Sequence, residues 1–236
     1  MRIVRRAGLL ALAVAVSVVA SPVALAAASN DGQLVPASKR LGGMTGGQLI
    51  GEETHLLLEL PLAENPTNGA GESCFPTGRR GKVLIVWTRR ANEPPAECIV
   101  KPGTSVFLTG GYFFCDPLED DPFYAVGAKK QRECAVKGLH TYPAFVATRA
   151  ILVTIDGHRP VDIKRERYVA VSPQGTAQLP ENNILFAPPQ ETTFVTAAYV
   201  AMIRPLRPGV HTIKVEAVGG PFAGTVSATV TVMRRG

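Results

Sequence analysis

The sequence lacks the short signatures that mark several enzyme classes. It contains no GxSxG turn, no HExxH pair and no glycine-rich phosphate loop. A serine hydrolase of the elbow type, a zinc peptidase and a P-loop enzyme would each be missing their defining residues. Histidine is scarce, and the four present, His55, His140, His158 and His211, share no metal-ligand spacing. Cysteine is limited to four residues, none in a CxxC pair, which leaves zinc and dithiol redox chemistry without support. Tryptophan occurs once, at Trp87. Beyond the N-terminal segment no apolar run approaches the roughly 20 residues of a membrane-spanning helix. The basic residues form short runs such as Arg79-Arg80, Arg89-Arg90 and Lys129-Lys130. These read as solvated surface, so no nucleic-acid partner is expected.

The N-terminus is explicit. Arg2, Arg5 and Arg6 precede an unbroken apolar run over 7–20, which ends at Ser21-Pro22-Val23 and then Ala24-Leu25-Ala26. A basic start, a short apolar stretch and a small-x-small exit are the three parts of a cleaved export signal. The run is too short for an anchor and Pro22 interrupts it. Cleavage is expected after Ala26, with Ala28 as the alternative, and no cysteine stands there to accept a lipid. Export predicts a secreted protein, extracellular or associated with the cell wall. Loss of the three arginines leaves 22 bases against 19 acids, a balance of +3, so the basic character of the precursor is partly that of its leader.

An even number of cysteines in an exported chain points to disulfides. Cys74, Cys98, Cys115 and Cys134 allow three connectivities. Cys74–Cys98 with Cys115–Cys134 is favoured because each pair flanks one supersecondary unit. Each such bond would contribute about 3 kcal/mol through the unfolded state.

Residues 27–44 are small, polar and Gly-rich, and read as a flexible arm; a single domain over 45–236 is expected to follow. Thr45 and Gln48 form a capping box at the start of a helix, whose apolar face takes Leu49, Ile50, Glu53, Leu56, Leu57 and Leu60 before Pro61 stops it. His55 lies near that face and reads as structural. Residues 82–88 are apolar on both faces, as in a covered strand, and place Trp87 in the core, with a ligand-stacking role as the minor alternative. Residues 98–100 and 105–108 bracket Lys101-Pro102-Gly103 as strand, turn, strand. Pro122 fits the first position of a helix running to about 135, capped by Asp121, with Lys129, Lys130 and Arg132 toward its far end. From 148 onward the chain reads as strands: Asp156-Gly157 signals a hairpin, His158 falls in that turn, and His211 begins a strand in its inward register. In 225–232 the alternation is strict, with Val226, Ala228, Val230 and Val232 on one face. Such strands imply a mainly β fold, a two-layer β-sandwich of immunoglobulin-like or jelly-roll-like type, with an N-terminal helix and one disulfide-tied helical insertion.

The densest group of chemically capable side chains is Asp116, Glu119, Asp120 and Asp121. Carboxylates from one loop could bind Ca²⁺, the only cofactor the sequence suggests. The simpler reading is acids favoured at a helix N-terminus, and an acid–base pair for glycan cleavage is a further alternative.

The order of several short motifs resembles a family of uncharacterised exported bacterial proteins, some of them labelled signal proteins in actinobacteria. The motifs run from Leu60-Pro61 to Asn65-Pro66, through Cys74, the strand after Gly81, Cys98 and Pro102-Gly103. They continue with Ile155-Asp156-Gly157-His158-Arg159-Pro160-Val161 and Asn182-Asn183-Ile184-Leu185, and end with Pro205-Leu206, Pro208-Gly209 and His211-Thr212-Ile213. The resemblance spans roughly 45–217 and implies a secreted β-sandwich, with no activity or catalytic residue to carry over. The expected function is a non-catalytic binding module of the cell envelope or extracellular space, for a polymer or protein partner. The alternative is a small glycan-directed hydrolase using the acids of 116–121.

Overall fold

The computed structural model describes residues 32–69, 71–90 and 93–234. The export segment 1–26 and its two cleavage sites lie outside the described residues. The chain enters as β1 (Leu34–Val35) and a tight hairpin, β2 (Arg40–Leu41) and β3 (Met44–Thr45), followed by helix α1 (Gly46–Glu59). Then come β4 (Cys74–Thr77), β5 (Val83–Val86), β6 (Arg89–Arg90), β7 (Ala96–Val100) and the long β8 (Ser105–Cys115). Helices α2 (Ala128–Thr141) and α3 (Pro143–Ala147) lead to β9 (Ala150–Ile155), β10 (Val161–Asp162), β11 (Val169–Val171) and β12 (Gly175–Gln178). The last strands are β13 (Glu191–Ile203), β14 (Gly209–Val218) and β15 (Gly224–Val232).

These strands form a two-layer β-sandwich. One sheet runs β1-β13-β8-β5-β4, with β11 and β12 also on β13; the other runs β10-β9-β14-β15-β6, with β7 also on β15. Their facing sides share one apolar core, in which Leu108, Phe113, Val195 and Tyr199 meet Ile151, Val153, Ile213 and Val230. The outer side of the first sheet is covered as well: Leu49 and Ile50 of α1 pack on Ile85, Phe107, Val200 and Met202. That double cover explains why β5 is buried at every position and β13 at nearly all, whereas β14 and β15, wet on one side, alternate.

Helix α1 begins as its sequence implies. The Thr45 side chain accepts from the Gln48 amide at 3.3 Å and Gln48 Oε1 accepts from the Thr45 amide at 3.0 Å. Its buried face is Leu49, Ile50, Glu53, Thr54, Leu57 and Leu58, with Leu56 and Leu60 only half-buried. Both favoured disulfides are present. Cys74–Cys98 joins β4 of one sheet to β7 of the other, and Cys115–Cys134 ties β8 to α2. The hairpin at Asp156-Gly157 also forms, with positive φ at both residues and β10 paired on β9.

Three expectations need correction. The stretch expected as a flexible arm contributes structure from residue 34 on, because Leu34 and Val35 are an apolar pair that adds to the edge of β13 opposite Ile203 and Met202. The strands around Lys101-Pro102-Gly103 do not pair: β7 lies parallel to β15 and β8 lies in the other sheet, so this turn is a corner between layers. The second helix starts at Ala128 after Gly127, not at Pro122 under an Asp121 cap. The Asp121–Pro122 peptide is cis, and residues 116–125 close on themselves instead. Asp116 donates its amide to Phe123 O and accepts from Ala125 N, while its carboxylate takes the Leu118 and Glu119 amides at 2.6 and 3.0 Å. That loop uses the backbone groups a first helical turn would need. Lys129 and Lys130 therefore stand at the N-terminal end of α2, against the dipole preference expected from sequence.

Candidate functional site

One cleft gathers polar groups from separate parts of the chain. It has a volume of about 550 Å³ and opens between the end of β5, the middle of β8 and the loop after α1. Glu53, Trp87, Glu93, Thr109 and Tyr112 are among the residues lining it. Each is held by a local cause.

Glu53 is the one acid on the sheet-facing side of α1 and is 1% exposed. Thr109 Oγ1 of β8 donates to its Oε2. Burial pushes the Glu53 carboxyl from 4.5 up to about 8, against the smaller downward effect of the Thr109 hydrogen bond. At neutral pH the group is therefore a neutral carboxylic acid, able to donate as well as accept. Burial, then the charges of Glu53 and Glu119, also raise the Tyr112 phenol above its ordinary value, so it too keeps its proton. Trp87 follows β5 and its amide donates to Ser73 O at 2.8 Å, one residue from the Cys74–Cys98 bond that locks the sheets together there. Its side chain is only half-buried, but the indole Nε1 is shielded from solvent and has no hydrogen-bond partner. An indole N–H in that condition costs free energy until an acceptor arrives.

The floor of the cleft is bare backbone. A Cβ on Gly110 would come within 2.7 Å of Ile151 and 2.8 Å of Ile163, and one on Gly111 within 2.9 Å of Phe145. Side chains are excluded there by the core beneath. The register of β8 on β13 slips between Tyr199 and Val200, opposite Gly111 and Thr109, and this bulge leaves Gly110 unpaired with β13. On its other side β8 pairs with β5 only over Ser105–Phe107. The segment 109–112 thus lines the cleft and also a second cavity of about 820 Å³ toward Phe145 and Phe222, and Val226 lines both. The rim loop is fixed by Asn65, which donates to Leu57 O at 2.8 Å and accepts from the Thr67 amide and hydroxyl at 3.1 and 2.7 Å.

The acids read from the sequence as a candidate Ca²⁺ set do not converge as four. Asp116 is fully buried and Glu119 half-buried, while Asp120 and Asp121 are exposed. Burial first, then the charge of Asp116 and a hydrogen bond with it, push Glu119 up to about 7. Asp116 Oδ2 and Glu119 Oε2 are both shielded from solvent and make no hydrogen bond. Neither lines the cleft or its adjoining cavity. Among the described residues no group of three or more His, Cys, Asp or Glu side chains is placed to hold a metal ion.

The histidines serve structure. His55 bonds Thr176 O at 3.0 Å and Glu59 at 3.2 Å. His211 Nδ1 meets Asp156 Oδ2 at 2.7 Å and Nε2 meets Arg207 O at 2.7 Å. Both partners are acceptors, an arrangement that favours the doubly protonated ring. Partial burial would lower its pKa, but the hydrogen bonds to Asp156 and Arg207 and the Asp156 charge outweigh that and raise it. All four cysteines are in disulfides, so none is a free thiol nucleophile.

Sequence reasoning passed over Glu53, Thr109 and Tyr112. Glu53 carried a usable signal, a carboxyl in an otherwise apolar helical stripe. Thr109 and Tyr112 carried none. No family model, curated protein or solved structure matches the chain.

Proposed function

We propose that the mature chain is an exported, non-catalytic binding module of the cell envelope or extracellular space, and that its groove takes an uncharged, hydroxyl-rich polymer segment such as a glycan strand. The single observation that carries this reading is that the proton-retaining Glu53, its partner Thr109, Tyr112 and the half-buried Trp87 line one cleft. A saccharide offers both things that such a site wants: alternating donors and acceptors, and C–H faces that lie against an aromatic ring. A bare glycine floor and an adjoining cavity that shares residues with the cleft suit a chain rather than a compact ligand. Two disulfides fit an oxidising compartment, and no helix among the described residues is long and apolar enough to cross a membrane. Membership of the family that the motif order resembles belongs to the same proposal. The test is retention of the purified mature chain on insoluble cell-wall glycans and envelope extracts. Trp87→Ala should weaken retention at least tenfold, a loss of about 1.4 kcal/mol. Absence of retention on every such material would contradict the reading.

A second reading is favoured by one specific observation: the cleft holds two carboxyls, Glu53 and Glu93. A neutral acid and a second carboxyl in one cleft are the residue types that glycoside cleavage uses, which moves the hydrolase alternative from 116–121 to this cleft. Turnover on a glycan panel that is lost in Glu53→Gln would favour catalysis over binding alone.

A further inference from the structure

A separate cavity, of about 590 Å³, lies at the start of β8, four residues before Thr109. It is lined by Gly42, Gly43, Arg79, Arg80, Lys82, Gly103, Ser105 and Pro205. Four segments meet there: the β2–β3 hairpin, the turn before β5, the β7–β8 corner and the loop after β13. Across 39–45, 78–82, 101–105 and 204–207 these segments carry Lys39, Arg40, Arg79, Arg80, Lys82, Lys101, Arg204 and Arg207, and not one acid. The acids of 116–121 follow the opposite end of β8, roughly 35 Å away along the strand. A modest overall charge therefore conceals two poles.

The basic cavity is held in shape by its backbone. The Arg79 amide donates to Gly42 O at 3.4 Å, the Ser105 amide to Lys82 O at 2.9 Å, and Arg40 Nη1 to Gly43 O at 2.6 Å. Among the described residues none of the three lining cations has an acidic partner. Arg80 also adopts a left-handed backbone, φ 62° and ψ 33°, a conformation costly for a side chain of its kind. Arg79, Arg80 and Lys82 are all exposed, so their charges are open to a ligand, and Arg80 presents its guanidinium from a strained backbone.

We infer that this cavity is a binding site for a phosphoryl oxyanion carried on an ester, held by the Arg79 and Arg80 guanidiniums and the Lys82 ammonium. Arginine forks match the paired oxygens of such a group, and lysine adds a point charge. The site is separate from the cleft and does not depend on what the cleft binds.

The experiment uses the disulfide-intact mature chain. Its thermal midpoint is measured in inorganic phosphate and in chloride at matched ionic strength and pH. Phosphate should raise the midpoint saturably above chloride. The double variant Arg79→Ala/Lys82→Ala should lose that increment, whereas Trp87→Ala should keep it. Arg80→Gly relieves the left-handed strain, so it should melt no lower than wild type in chloride and yet respond less to phosphate. Glycerol phosphate in solution and vesicles containing phosphatidylglycerol then distinguish a free or polymer-borne ester from a lipid headgroup, and a response to either supports the site. The inference is overturned if phosphate and both esters act no differently from chloride, or if the double variant responds as strongly as wild type.

Discussion

Two places in this molecule keep carboxyls out of water, and they do so to different ends. At 116–121 four acids are crowded in sequence, yet the fold spends them on itself. Asp116 gathers the amides of its own loop and its charge, after burial, raises Glu119, while Asp120 and Asp121 face solvent. At Glu53 a solitary acid is carried by an otherwise apolar helix face onto a sheet, where Thr109 holds one oxygen and a cavity lies beside it. The difference teaches that density of acidic residues is a poor guide to a site. An acid placed where the pattern calls for a leucine has been kept despite the cost of burying it.

The comparison can be broken most forcefully at the loop. Asp116→Ala strips two part-buried amides of their acceptor and empties a fully buried site, and should cost about 3 kcal/mol. In a chain of this size that lowers Tm by roughly 6–12 °C, while glycan retention measured below the transition stays at the wild-type level. A loss of retention with no loss of stability would move the functional site to the loop. Glu53→Gln should act in the opposite sense. The folded carboxyl holds its proton up to about 8 and the unfolded one releases it near 4.5, so the folded state binds more protons between those values. Stability therefore falls as pH rises from about 4.5 to 8 and levels off above. Glu53→Gln should flatten that decline and leave the protein more stable than wild type above pH 8, read from denaturant midpoints across pH. The smallest effect belongs to His211, where a raised pKa gives stability that is full below about 6.5 and is lost as pH climbs through the folded value. His211→Asn should remove less than about 1 kcal/mol, only at the acid end, and leave the slope between pH 4.5 and 6.5 intact. If that slope vanished too, it would belong to the histidine and not to Glu53.

Much of the fold could be read in the chain because its causes are local. Alternation over 225–232, the capping box at Thr45 and Gln48 and the Asp156-Gly157 turn each state their own geometry, and the cysteine spacing matched two supersecondary units. The errors came where a tertiary partner overruled a local preference. Pro122 and Asp121 are good helix starters, but the Asp116 carboxylate and the pairing of 116 with 123 and 125 claim the backbone first. Lys101-Pro102-Gly103 is a good hairpin turn, but β7 finds β15 instead. The site was less legible. Glu53 and the lone Trp87 were visible as oddities. Thr109, Gly110, Gly111 and Tyr112 become a groove wall only through a bulge against β13 and the early end of pairing with β5, both of which depend on strands far away in sequence. The basic pole was hidden for the same reason, since its eight bases come from four separate segments.

Trp87 is the only tryptophan in the chain, so its fluorescence reports on the cleft alone. Titration of the mature protein with soluble cell-wall oligosaccharides at pH 7 should change that emission saturably, and the apparent affinity should weaken above pH 8 as Glu53 loses its proton. Oligosaccharide binding detected by calorimetry with no change in Trp87 emission, or with an affinity indifferent to pH between 7 and 9, would contradict the assignment of this cleft.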